Sequence, residues 1–264
     1  MMTDTMLLTP QEQRLQGGKG YTSRARTNAL LAGFREETPR IDIERAVLFT
    51  ESMRQTEAYP LVLRWAMAFA HVCEHIEVVI EEHELIVGTC GGRGRHAILY
   101  PELRAGWYVK GLPETQKKNA FTISDEDIKT VLEEVVPYWQ GKTSHEMYLA
   151  IMPPETRAVI YGDDDYGSTG LMQDNSNVSS TLNWPGNYDE VMTKGLKAFK
   201  QEAQEKLAAI RKTLVTNDYD KVPFLQAEIL VCDALETLAR RYSDKARELL
   251  EEEQDQKRRR ERCV

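Results

Sequence analysis

Glu84-Leu85-Ile86-Val87-Gly88-Thr89-Cys90-Gly91-Gly92-Arg93-Gly94-Arg95-His96-Ala97-Ile98-Leu99-Tyr100-Pro101-Glu102 is the stretch on which the reading of this chain turns. A short apolar run stops at glycines, and a second apolar run stops at Tyr-Pro-Glu. Each run is too short for a helix and is bounded by breakers, which fits a short buried strand or turn. The glycines beside Arg93, Arg95 and His96 could also form a backbone nest for an anion, with an ordinary structural turn the favoured reading. Extended structure is therefore expected mainly over about 85–109, and the rest of the chain reads as helix.

Working upstream, Asp42 to Glu57 places Ile43, Ala46, Val47 and Thr50 on one helical face. Tyr59-Pro60 opens a further helix with Leu63, Ala66, Met67, Ala70 and Cys73 as its inner stripe. A first helix is expected over Ser23 to Phe34, ended at Thr38-Pro39. Residues 1–22 are polar and read as a flexible lead-in, leaving 23–264 as one body. Downstream, Ser124 is a helix N-cap with Asp127 in the capping-box position, and Pro137 is expected to end that helix. Residues 141–187 carry little periodicity. Two long amphipathic helices, near 188–215 and 223–260, then close the chain as an antiparallel pair. The fold class is mainly α with a few short strands.

The order of these segments carries more than any one of them. Ile41-Asp42-Ile43-Glu44-Arg45-Ala46, Thr50-Glu51, Thr56-Glu57 and Glu84-Leu85-Ile86-Val87-Gly88 follow one another. After them come Ile123-Ser124-Asp125-Glu126-Asp127, Pro137-Tyr138-Trp139-Gln140-Gly141-Lys142 and Asn187-Tyr188-Asp189-Glu190-Val191 with Gly195-Leu196. This series resembles the N-terminal region of glycyl radical enzymes of the pyruvate formate-lyase superfamily, in the branch of dehydratases, lyases and arylacetate decarboxylases. The resemblance runs over about residues 24–262. It implies the N-terminal part of an α/β barrel, in which two parallel half-sheets are wrapped in helices. It also implies a radical cleavage of a C–C, C–O, C–N or C–S bond in a small organic substrate. The family's radical cysteine sits in a Gly-Cys turn, and its radical-storing glycine sits in an Arg-Val-x-Gly-Tyr loop. Neither pattern occurs here, and Cys73, Cys90, Cys232 and Cys263 match neither the place nor the flanks of the radical cysteine. The chain is thus expected to be an incomplete part of such an enzyme, inactive alone and binding no cofactor itself. In the complete enzyme an activase using S-adenosylmethionine and an iron–sulfur cluster would install the glycyl radical. The same resemblance implies a homodimer and anaerobic metabolism.

Composition bounds the alternatives. With 41% hydrophobic and 29% charged residues and a formal charge of −8, the chain has the balance of an ordinary globular protein rather than a nucleic-acid binder. No stretch reaches the roughly 18 apolar residues that span a bilayer, and the N-terminus has no apolar core of a secretory signal. Four widely and irregularly spaced cysteines make no disulfide framework, so a reducing cytoplasm is expected. His71-Val72-Cys73-Glu74-His75 offers a rival reading. On a helix the two imidazoles stand at i and i+4 with Glu74 beside them, the inverted zincin pattern of a zinc hydrolase, with Glu133 or Glu134 as third ligand. A partly exposed helix face explains the same residues. Asp163-Asp164-Asp165-Tyr166-Gly167 lacks the alternate spacing of a calcium loop and fits a solvated turn. A non-catalytic helical interaction module is the third reading.

The substrate-pocket candidates lie between Gln173 and Asn187. There Asn177, Asn183 and neighbouring hydroxyls surround Trp184. Neutral amides beside an aromatic ring suit the orientation of a polar organic molecule in a mostly apolar cavity, and suit loops and caps as well. In the family the segment before the helix matching Tyr188 contributes to the substrate cavity. That favours Asn177, Asn183 and Trp184 without transferring a catalytic role to any of them.

Overall fold

A computed structural model describes residues 24–36, 38–81, 84, 86–89, 96–118, 121–162, 186–212 and 218–254. Among these the chain is mostly helical with two short strands. Helices α1 (Arg24–Glu36), α2 (Glu44–Gln55) and α3 (Leu61–His75) come first, with β1 (Ile41–Asp42) between α1 and α2. Strand β2 (Ala97–Ile98) follows, then α4 (Pro101–Arg104), a 3₁₀ turn (Ala105–Trp107) and α5 (Tyr108–Lys117). Next come α6 (Asp125–Thr130), a π turn (Val131–Val135), α7 (Val136–Trp139), α8 (Ser144–Ile151) and α9 (Pro154–Tyr161). Helices α10 (Tyr188–Lys194), α11 (Leu196–Lys212) and α12 (Lys221–Glu252) complete the order.

The core forms where α3 lies between α2 and α12. Ala66, Ala68, Ala70 and Cys73 are buried along α3, and such small side chains let neighbouring helices approach closely. From α2, Phe49 meets Trp65 edge-on at 5.8 Å and stacks on Trp139 at 6.1 Å. Trp139 is 2% exposed and satisfies its indole N–H on Thr50 Oγ1 at 2.8 Å, so its burial leaves no polar atom unpaired. Full burial of side chains such as Phe49 and Leu112 contributes about 1.5–3 kcal/mol each. From α12, Arg241 donates to the carbonyls of Cys73 at 2.8 Å and Ile76 at 2.6 Å, satisfying orphan acceptors at the end of α3.

Several local expectations give way to specific chemistry. The extended segment does not continue to residue 109. Pro101 takes the first turn of α4, where its fixed φ and missing N–H suit a helix start, and the chain stays helical to Lys117. Asp42, expected to open the helix that runs to Glu57, belongs instead with Ile41 to a strand, and α2 covers Glu44–Gln55. That strand pairs in parallel with Ala97–Ile98, and Asp42 Oδ1 accepts from Glu44 N–H at 2.9 Å to open the helix behind it. Ser124 does cap α6 by accepting from Asp127 N–H at 3.0 Å. Pro137 does not end that helix, because the wider π turn at Val131–Val135 absorbs the lost backbone donor and α7 runs on to Trp139. Residues 144–161 are two helices, one opened by a reciprocal Thr143–Glu146 capping box and one by Pro154. The first closing helix is two pieces, interrupted at Gly195, whose φ of +75° lies where glycine is favoured.

Candidate functional site

The short parallel pair is the feature around which polar side chains gather. Arg40 bridges in parallel to Thr122 on one side of β1, and β2 lies on the other. A cleft of about 410 Å³ opens beside this pair, lined by Arg40, Asp42, Glu44, Glu77, His96 and Asp127 among others. Arg40 pairs with Asp127 at 3.3 Å, and His96 Nδ1 lies 3.9 Å from Asp42 Oδ2. Glu44 Oε1 accepts from the Glu77 backbone N–H at 3.0 Å. Burial pushes the Glu44 carboxyl above its ordinary value, the Glu77 N–H opposes this, and the neighbouring charges of Asp42 and Glu77 add to it. The cleft is mainly anionic, which suits a cationic or hydrogen-bond-donating group better than a sulfonate or carboxylate.

Behind the cleft sits a buried ion pair. Arg45 Nη2 contacts Glu102 Oε1 at 2.6 Å, Nη1 contacts Oε2 at 3.3 Å, and Nη1 also donates to the Leu99 carbonyl at 3.3 Å. The guanidinium lies 4.0 Å from the Tyr100 ring centroid. Glu102 is 3% exposed, so this fork-to-fork pair is held in a dry environment. Removing one partner of such a pair costs about 3–5 kcal/mol, because the other charge is left buried. Burial, with the Glu102 charge, pushes the Tyr108 hydroxyl well above the usual phenol range and keeps it protonated. The pair ties α2 to the chain that follows β2. A second clamp comes from α12: Tyr242 Oη accepts from Thr89 N–H at 3.0 Å and donates to Thr89 carbonyl at 3.2 Å. The sequence signal for the first clamp is a charged residue on a core stripe, since Arg45 precedes Phe49 and Ser52 at helical spacing and all three are buried.

The candidates Asn177, Asn183 and Trp184, together with Cys90, Arg93 and Asp163 to Asp165, lie outside the described residues. Asn187, which follows that segment, caps α10 by accepting from Glu190 N–H at 3.5 Å. The zinc reading gains nothing from the geometry. His71 Nε2 faces Glu51 at 3.3 Å, His75 Nδ1 donates to the His71 carbonyl at 2.9 Å, and Glu74 is exposed. Among the described residues, no group of three or more His, Cys, Asp or Glu side chains is placed to hold a metal ion. Cys73 and Cys232 lie buried within helices α3 and α12, at neither a turn nor a hairpin tip, so neither fits a thiyl radical site. No described helix is long and apolar enough to cross a membrane.

The comparisons with known proteins agree with this architecture. A family profile described as pyruvate formate lyase-like matches residues 21–261. The isethionate sulfite-lyase of Desulfovibrio desulfuricans is 41% identical over 96% of this chain, which covers 32% of that enzyme. The trans-4-hydroxy-L-proline dehydratase of Clostridioides difficile is 29% identical over 83% of this chain and 27% of its own length. The glycerol-bound B12-independent glycerol dehydratase from Clostridium butyricum superposes with a TM-score of 0.80 at 33% identity, over 93% of this chain and 30% of its own. The matched relatives are glycyl radical lyases and dehydratases, and the chain spans about a third of their length.

Proposed function

Because the chain belongs to the pyruvate formate lyase-like family, we propose that it forms the N-terminal helical section of a glycyl radical enzyme that cleaves a bond in a small organic substrate. The observation that carries the reading is the match to the sulfite-lyase over 96% of the chain at 41% identity, against 29% for the hydroxyproline dehydratase. That difference favours a small sulfonate and C–S cleavage over dehydration of a polyol or hydroxyproline. The radical cysteine and glycine would belong to a part of the enzyme that this chain does not span, and a radical-activating partner would generate the glycyl radical there. A cytoplasmic, oxygen-free setting suits such chemistry.

The role left to these residues is to bind, orient and exclude water. A radical intermediate must be kept dry and in one geometry while a bond breaks, so rigid walls matter more than acid–base groups. In this reading the Arg45–Glu102 pair and the Tyr242–Thr89 clamp act as supports for the wall. The segment carrying Asn177, Asn183 and Trp184 faces the substrate, its amides donating to oxygen atoms and Trp184 covering the carbon skeleton. The test is a chimera in which this chain replaces the matching third of the Desulfovibrio desulfuricans sulfite-lyase. Trp184→Ala should lower turnover by at least tenfold while the glycyl radical yield, measured by electron paramagnetic resonance, stays within about a factor of two. A parallel fall of radical yield and turnover would assign Trp184 to folding or activation. Unchanged turnover on substituting Asn177, Asn183 and Trp184 in turn would remove the pocket assignment.

A further inference from the structure

We draw no further inference here: the strongest candidate, the open apolar groove between α3, α10, α11 and α12 lined by Val62, Trp65, Val191, Phe199 and Phe224, carries none because nothing in the structure shows what covers it.

Discussion

Glu44 shows how one side chain links local structure to a measurable response. It starts α2, accepts the Glu77 backbone N–H and stands near Asp42 in a half-buried cleft. Burial raises its folded pKa above the ordinary 4.5, so the folded chain takes up this proton before the unfolded chain as pH falls. The unfavourable contribution is absent below about pH 4.5 and present in full above the raised folded pKa. Glu44→Gln keeps an acceptor for Glu77 N–H and removes the charge. The variant should be more stable than wild type at neutral pH, with the gain vanishing toward acid. Urea unfolding of both proteins across pH 4 to 8 checks the sign, and a gain that grows toward acid would contradict it. Arg45 makes the opposite lesson. Its type and spacing were legible in the sequence, but its partner Glu102 lies 57 positions away, and local periodicity carries no information about that pairing.

At the scale of elements, burial stripes were legible and boundaries were not. The expected stripe of Leu63, Ala66, Met67, Ala70 and Cys73 holds at Ala66, Ala70 and Cys73, but Leu63 and Met67 are only half-buried. Ala68 and Val72 are buried as well, because α3 is covered by both α2 and α12 and a single 3.6-residue stripe records one dry face. Two-residue strands have no repeat to read, so β1 became visible only through its pairing with β2. Pro137 misled because a proline is compatible with a continuing helix once a π turn has relieved the backbone before it. The same limit applies to α10 and α11, where the apolar spacing continues across a backbone break at Gly195. That break is testable. Gly195→Ala keeps the apolar face and forces a β-carbon onto a residue with φ of +75°, in open space where nothing clashes. The substitution should destabilise the chain by about 1 kcal/mol through backbone strain alone. A stabilised variant, as expected for alanine in a continuous helix, would show that α10 and α11 are one element in solution.

For the whole molecule, the described helices build one main core around α3 and leave apolar surface open on its α11–α12 side. The candidate site was only partly legible at this scale. The ordered segments from Ile41 to Leu196 pointed to the family, which the profile match over residues 21–261 bears out. The pocket residues Asn177, Asn183 and Trp184 rested on composition and on the family's layout, since residues without periodicity give no register for a side chain. The polar cleft beside β1 was missed for a related reason, because Asp42, Glu77, His96 and Asp127 come from four separate segments. The central proposal is that these 264 residues are part of a glycyl radical enzyme about three times as long, as the relatives that the chain matches over about a third of their length are. Sequencing the source transcript across the codon for Val264 tests it most directly. The claim predicts a continuing frame that encodes a Gly-Cys turn and, near its end, an Arg-Val-x-Gly-Tyr loop. A stop codon at that point with neither pattern in the following transcript would contradict it.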